Sequence, residues 1–506
     1  MIPNHSRTPL FTFADVTEYQ RLRGVLEVAG YTDKGILDAL SARDFPSIRE
    51  SDVALLLWRT RGGTPLETLV RLFLINVPLE LEVVHRALEP VKLEHLVEAG
   101  LVRIDDNSAV ATVRLLPYQH LVLAFDLPQR LSTDQGYDYV MGIGQSSMTL
   151  ANLTLRRPVR QVLDLGTGCG IQALLAARHS ERVVAVDRNP RAILLTDFNA
   201  KLNGISHLQP LPGDFFEPVA GLSFDLVVAN PPFVVSPDRR YLYRDSGLTG
   251  DQVCREIVRQ VPPFLEEGGF AQILCNWVEP SGQDWRERLA TWFAESSCDV
   301  WVMRSETRDV GTYASTWIRH TESFCPTEHT GRFEEWMAYY EQLGIEAVSA
   351  GLITMRRRSG ASNWFRADDA PVKMLGPCGD FVELGFRLTD FLQAHAEDAA
   401  LLDSRFRISP DVRLEQTLAA SGEKWSEIEA QLHLARGFAF AGSVDPLVAD
   451  LLIRCDGQRR LGDLVADLAI ALETEPSSIL PIACDIVRSL VQRGFLLPPQ
   501  AVSPDR

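Results

Sequence analysis

Hydrophobic spacing divides the chain into stretches of different period. Between residues 14 and 100 apolar positions recur at helical spacing, in VTEYQRLRGVLEVAG, PSIRESDVALLLWRT and PLETLVRLFLIN. The following KLEHLVEAGLVRIDDNSAVATVRLLPYQHLVLAF changes character. Gly100 closes a helix, Asp106 and Asn107 mark a turn, and alternating Val and Leu runs flank it. Helices followed by a small hairpin predict a helical, winged-helix-like unit over residues 1–130.

From residue 159 to 278 short apolar runs alternate with amphipathic ones. VRQVLDLG, RVVAVD, HLQPLPGD, FDLVVANPPF and GGFAQILCNW read as strands. IQALLAARHS, PRAILLTDFNAKLNG and TGDQVCREIVRQVPPFL read as the intervening helices. Such alternation predicts an α/β unit with a mostly parallel, Rossmann-like sheet and helices on both faces. The strands are apolar throughout, as expected when both sheet faces are covered. Downstream, GIEAVSAGLITMRRR and NWFRAD predict an antiparallel terminal hairpin on that sheet, which carries the unit over residues 131–375. In residues 376–506 the ending LVQRGFLLPP echoes LVEAGLVRI and predicts a second winged-helix-like unit.

Charge and cysteine usage narrow the setting. The 506 residues carry a net charge of −17, which tilts against a nucleic-acid partner without excluding one, because a basic patch can sit on an acidic protein. The small clusters Arg156-Arg157-Arg160, Arg239-Arg240-Arg244 and Arg356-Arg357-Arg358 read as solvated faces. Eight cysteines with no CxxC spacing form neither a disulfide framework nor a zinc site, and fit a reducing cytoplasm. His320, Cys325 and His329 are loosely clustered and read as polar loop residues, so no metal is expected. The opening MIPNHSRTPL lacks the apolar core of a secretory signal, and no run of about 20 apolar residues predicts a membrane span.

The first candidate site is Val162-Leu163-Asp164-Leu165-Gly166-Thr167-Gly168-Cys169-Gly170, between a strand and a helix. Glycines at alternate positions let the backbone turn sharply and approach a ligand. Asp187 ends the second strand, where a carboxylate can accept from ribose hydroxyls. A dinucleotide site would need GxGxxG, and counting from Gly166 the third glycine falls on Ile171. S-adenosylmethionine carries no pyrophosphate, and its cationic end suits Asp164. Asp214 ends the third strand, placed to accept from the adenine amino group with Phe215 packing on the ring. Upstream, the Gly and hydroxyl residues of Gly142-Ile143-Gly144-Gln145-Ser146-Ser147 can close over the methionine end or form a bare turn.

The second is Asn230-Pro231-Pro232-Phe233, after the fourth strand. Two prolines end the strand and remove two backbone donors, leaving acceptors at Asn230 and Pro231. Two acceptors and one ring match a planar –NH2 group: the acceptors hold its hydrogens and Phe233 stacks behind it.

Together these residues resemble the class I S-adenosylmethionine-dependent methyltransferases, in the branch with an (N/D/S)PP(Y/F) motif. That branch includes adenine-N6 DNA, guanine-N2 ribosomal RNA and release-factor glutamine-N5 methyltransferases. The resemblance covers roughly residues 135–370. It implies that Asp164, Gly166, Gly168 and Gly170 line the methionine and ribose end, with Asp187 on the ribose and Asp214 on the adenine. Asn230 to Phe233 would take the acceptor nitrogen. DLGTGCGIQALLAA is similar to the release-factor enzymes, which more often carry Tyr at the place of Phe233. NPPF is common in the guanine-N2 enzymes, where a His often follows; here Val234 does. The segment from Tyr241 to Asp251 resembles the loop after the motif in both groups, with Arg244 and Asp245 placed to touch substrate or to pair in the loop. The implied function is methylation of a planar nitrogen, first of protein glutamine, with a release factor as partner. The alternative is exocyclic amines of ribosomal RNA or DNA bases.

Overall fold

The computed structural model describes residues 11–43, 52–132, 136–321, 326–360 and 362–499. Contacts divide it into two compact units, residues 1–151 with 158–368 and residues 152–157 with 369–506. Among the described residues no helix is long and apolar enough to cross a membrane, and no three His, Cys, Asp or Glu side chains converge on a metal position. Cys325 and the side chain of His320 lie outside the described residues.

The first unit is built on an eight-stranded sheet. Its strands are β1 (Val159–Leu165), β2 (Ser180–Asp187), β3 (Leu208–Pro212), β4 (Phe224–Ala229), β5 (Leu265–Pro280), β6 (Cys298–Asp309), β7 (Ile345–Arg357) and β8 (Phe365–Asp369). They lie in the order β8-β6-β7-β5-β4-β1-β2-β3. The pairings from β3 across to β5 are parallel. β7 runs antiparallel between β5 and β6. The helices are α1 (Gln145–Leu153), α2 (Ile171–Ala176), α3 (Pro190–Leu202), α4 (Gln252–Gln260), α5 (Trp285–Ala290), α6 (Val310–Thr321) and α7 (Pro326–Leu343). Leu163, Val184, Val227, Ile273 and Val302 are fully buried between sheet and helices, which is why the strands lack polar alternation.

The antiparallel hairpin expected at the end of the sheet is present, but its strands are β6 and β7, joined through α6 and α7. IEAVSAGLITMRR and FRADD are both strands, yet β8 lies on the far side of β6 and does not pair with β7. The missing partner is CDVWVMRSETRD, whose apolar first half is buried and whose charged second half is largely exposed. It therefore presents no continuous apolar run to read.

Ahead of the sheet, helix Pro65–Leu69 continues as a wider turn through Ile75. Strand Leu79–Glu80, helices Leu81–Leu88 and Leu93–Glu98, and strands Val102–Asp105 and Ser108–Ala111 follow. This is the winged-helix element order, with the three strands in one sheet. In the second unit, helix Pro446–Arg454, strand Asp456–Arg460, helices Leu461–Ala471 and Pro476–Gln492 and strand Leu496–Leu497 repeat it in part. Strand Arg405–Ile408 completes that small sheet. The echoed segments share one helix ending. Gly100 and Gly494 are left-handed, at φ 75° and 81°. Leu101 N–H donates to Leu96 C=O and Phe495 N–H to Leu490 C=O, both at 2.9 Å, closing the same six-residue cap. A long ribbon, Val412–Ser421 with Lys424–Leu434, extended to three strands by Ala441–Ser443, has no counterpart in the sequence reading.

Candidate active site

Strand register brings the candidate residues to one edge. Leu165 of β1 stands opposite Val186 and Ala229, and Asp187 opposite Pro212. Gly166, Asp187, Gly213 and Asn230 thus follow at the carboxyl ends of neighbouring parallel strands, where open α/β sheets bind ligands. One cleft there encloses about 1300 Å³ of open space, its mouth included. Its walls contain Gly166, Gly168, Asp187, Asp214, Phe215 and the whole Asn230-Pro231-Pro232-Phe233 run. Asp164 and Gly170 stand outside the lining.

The glycine loop is held by bonds within the protein. Gly166, Gly168 and Gly170 have φ of 74°, 56° and 85°, a region that other residues enter at a cost. The N–H groups of Gly166 and Thr167 donate to Val186 C=O, and Gly170 N–H donates to Thr167 C=O. Gly168 N–H donates to Asp187 Oδ2 at 2.9 Å. A dinucleotide site keeps such N–H groups for a pyrophosphate; here four are already used. What the loop leaves is space: a Cβ on Gly168 would meet nothing within 4 Å.

Asp164 works from behind this loop. It is 1% exposed. Its Oδ2 accepts from Thr167 Oγ1 at 2.6 Å and from Ala173 N–H at 3.0 Å, binding the loop to the first turn of α2. Burial pushes its carboxyl up to about 7, against those two hydrogen bonds. A folded-state value above the ordinary one near 4 means that the native state holds the proton longer than the unfolded chain. Stability from this group is then full below about pH 4 and is lost as pH rises to about 7. Asp164→Asn should flatten that part of the profile; melting curves of the two proteins that stay parallel from pH 4 to 8 would refute the assignment.

Asp187 faces the cleft with both oxygens engaged once, Oδ2 by Gly168 and Oδ1 by Asn189 N–H at 2.8 Å. Each carboxylate oxygen retains capacity for another donor. Burial raises its pKa. Asp214 stands 3.6 Å from Arg188 Nε. Beside it Phe215 takes a left-handed backbone at φ 45°.

At the end of β4, Asn230 Nδ2 donates to Ser146 Oγ at 3.3 Å and Ser147 Oγ at 3.5 Å. Both hydroxyls come from α1, and Gln172 of α2 donates to Ser147 C=O at 2.8 Å. With its amide nitrogen so engaged, the Asn230 side chain presents Oδ1 as its acceptor. Phe233 pairs with Asp245 in an isolated bridge. Arg244 and Asp245 belong to the loop's interior. Arg244 is 1% exposed and its guanidinium reaches Asp245 Oδ1 at 2.7 Å and Asp238 Oδ2 at 2.9 Å. Asp245 also accepts from the N–H groups of Arg240 and Tyr241. Of the two readings for this pair, the geometry matches the salt-bridged loop.

Three aromatic residues in the walls were not assigned from the sequence: Tyr139, Tyr243 and Trp317. Tyr139 and Tyr243 meet edge to face at 5.3 Å. Burial pushes the Tyr243 phenol up to about 12, so it stays neutral. The wall at Tyr139 and Val140 is set by a buried carboxylate: Asp126 accepts from Val140 N–H at 2.8 Å and from Arg191 Nε at 2.9 Å. No motif spacing links these residues, which come from separate parts of the chain.

Residues 142–295 match the family described as methyltransferase small domain. Residues 28–112 and 384–498 match two domains of unknown function, DUF7059 and DUF7782. A putative protein N5-glutamine methyltransferase of Methanocaldococcus jannaschii is 34% identical over 122 residues, 23% of this chain and 61% of that protein. The release factor glutamine methyltransferase of Escherichia coli is 42% identical over 136 residues, 24% of this chain and 47% of that one. The ribosomal RNA small subunit methyltransferase C of Alcanivorax borkumensis is 29% identical over 148 residues, 29% of this chain and 39% of that one. The chain spans about half the length of the curated relatives it matches. Most of the cleft is thus built by a segment, residues 142–295, that is similar to the methyltransferase small domain and to glutamine and ribosomal RNA methyltransferases.

Proposed function

We propose that this protein transfers a methyl group from S-adenosylmethionine to a planar amide or amino nitrogen, and that the acceptor is a glutamine side chain of a protein, of release-factor type. The observation that carries the reading is one cleft holding Asn230-Pro231-Pro232-Phe233 beside the glycine loop and Asp187. The walls fit the cofactor: Asp187 keeps acceptor capacity for ribose hydroxyls, Asp214 and Phe215 suit the adenine, and Gly168 leaves room for the methionine end. Asp164 acts on the cofactor through the loop it binds. Bound there, S-adenosylmethionine supplies an electrophilic methyl group.

The chain's own part is to grip and aim. An amide nitrogen is a poor nucleophile because its lone pair is delocalised. Asn230 Oδ1 and the Pro231 carbonyl accept its two hydrogens, which raises electron density on nitrogen and fixes its direction. Phe233 stacks on the plane. Orientation of this kind can contribute up to about 7–11 kcal/mol. As the nitrogen–carbon bond would form, the methyl carbon's bond to sulfur would break with its electron pair left on sulfur, and the nitrogen would release one proton to water.

Two features favour a polypeptide acceptor over a polynucleotide. The lining cations, Arg188 and Arg244, already face the carboxylates of Asp214, Asp238 and Asp245. The outer face of the third winged-helix helix, Leu93–Glu98, exposes Glu94 and Glu98, the wrong sign for phosphates. The similarity to ribosomal RNA small subunit methyltransferase C keeps a base amine as the second reading. Transfer of labelled methyl into extract of the cells that make the protein, followed by separate protease and nuclease digestion, decides between them. Label released by protease as N5-methylglutamine is expected; label released by nuclease would replace the first reading with the second.

A further inference from the structure

The sheet does not stop at the cleft. Ala229, the last residue of β4, stands opposite Ile273 in β5. β5 continues to Pro280, still paired with β7, so the sheet rises about 23 Å past the end of β4. β6 runs in the same direction as β5 and ends at Asp309 on the same side. α6 and α7, which link Asp309 back to β7, therefore start and finish at the edge where the cleft opens. They lie beyond the segment matched by the methyltransferase family, which ends at residue 295.

This helical pair is fastened to the chain that follows Phe233. Tyr313 of α6 accepts from Val235 N–H at 3.1 Å through its phenol oxygen, which also accepts from Asn276 Nδ2 at 2.7 Å. Tyr340 of α7 donates to Val235 C=O at 2.8 Å. Both backbone groups of one residue, two positions after the motif, are thus taken by the two helices. Tyr339 accepts from Gly250 N–H at 2.7 Å, and Arg332 pairs with Asp238. Val234, Val235, Val278, Ile318 and Trp336 bury a common apolar core beneath these contacts. From this anchored frame Trp317, half-buried, enters the cleft wall together with Asn230 and Phe233.

We propose that α6 and α7 form the acceptor-recognition element of this protein, and that Trp317 contacts the acceptor and determines its specificity. This rests on the methyl-transfer reading above. A large flat ring in a wall whose cations are paired selects an uncharged group, and polypeptide flanking a glutamine supplies one. The rigid frame holds the ring in place before the acceptor arrives, so little order is lost on binding.

The test compares the full chain with Trp317→Ala and Trp317→Phe. Initial rates of labelled methyl transfer are measured against increasing amounts of cell extract, and S-adenosylmethionine affinity is measured by calorimetry. Trp317→Ala should raise the apparent acceptor KM at least about 10-fold, while Trp317→Phe stays within about threefold. Cofactor affinity should stay within about twofold in both. An unchanged KM in the Ala variant would overturn the proposal, and so would a fall in cofactor affinity that matches the fall in transfer, because that marks general loss of structure. No label from the wild-type chain would overturn the methyl-transfer reading together with this one. Label in RNA would overturn the polypeptide class alone, with the Ala-to-wild-type ratio still deciding the role of Trp317.

Discussion

Asn230→Ala should reduce methyl transfer by roughly 10²–10³-fold, the cost typical of removing one preorganised polar partner at a reacting centre. The side chain holds no structural bond that the fold depends on. Its Nδ2 reaches Ser146 and Ser147 at 3.3 and 3.5 Å, and both hydroxyls border the cleft, where water can replace it. The Oδ1 end is lost with no substitute, because alanine carries no side-chain acceptor. The Pro231 carbonyl remains, so one of the acceptor's two hydrogens is still held and residual transfer should persist. S-adenosylmethionine affinity should stay within about twofold of wild type, since the loss falls on the acceptor side. Asn230→Asp should be milder than Ala: a carboxylate keeps the acceptor oxygen, and the two serines can turn their hydroxyl hydrogens toward it. Single-turnover transfer of labelled methyl, with calorimetry for the cofactor, measures both quantities. Wild-type rates in the Ala variant would remove Asn230 from the reaction.

The chemistry was legible where one short stretch of chain carries it. A strand end, three glycines and two prolines are local facts, and parallel pairing of β1, β2 and β4 then brings Gly166, Asp187 and Asn230 to one level. Which way a side chain faces is a different matter. Asp164 precedes the glycines in sequence, yet it alternates with Leu163 and Leu165 along β1 and turns behind the loop toward α2. Arg244 and Asp245 looked alike for substrate contact and loop pairing, and only the positions of Asp238 and the Arg240 and Tyr241 N–H groups separate the two. Trp317 carries no signal at all in the sequence, because its place in the cleft depends on β6 ending at the same edge as β4, eighty residues earlier in the chain. The ribbon at Val412–Leu434 was hidden differently. EIEAQLHLA suits a helix by composition, and the paired strand Val412–Ser421 that holds it extended is exposed over most of its length.

Asp187→Ala should act on the opposite side of the reaction and weaken S-adenosylmethionine binding by roughly 10²-fold. That figure follows from about 1.5–3 kcal/mol for each hydrogen bond to a charged group, when ribose contacts are lost. The substitution also frees Gly168 N–H, held now at 2.9 Å, and Asn189 N–H, held at 2.8 Å. Gly168 sits at φ 56° with open space on its Cβ side, so this residue is held by that bond and by Thr196 Oγ1, which donates to Gly168 C=O at 3.1 Å. Loss of one of these two restraints on Gly168 lowers order at that point of the loop before the cofactor arrives. At saturating cofactor the rate should recover to within a few fold of wild type, because Asn230 and Pro231 are untouched. Burial raises the Asp187 pKa, so wild-type affinity should fall as pH drops through that raised value, when the proton takes an acceptor position. The Ala variant has no such group and its affinity should vary less over the same range. Calorimetric titrations at several pH values test both statements. Unchanged affinity in Asp187→Ala would move the ribose contact to another residue, while a rate that stays low at saturating cofactor would show that Asp187 shapes the transfer step as well as binding.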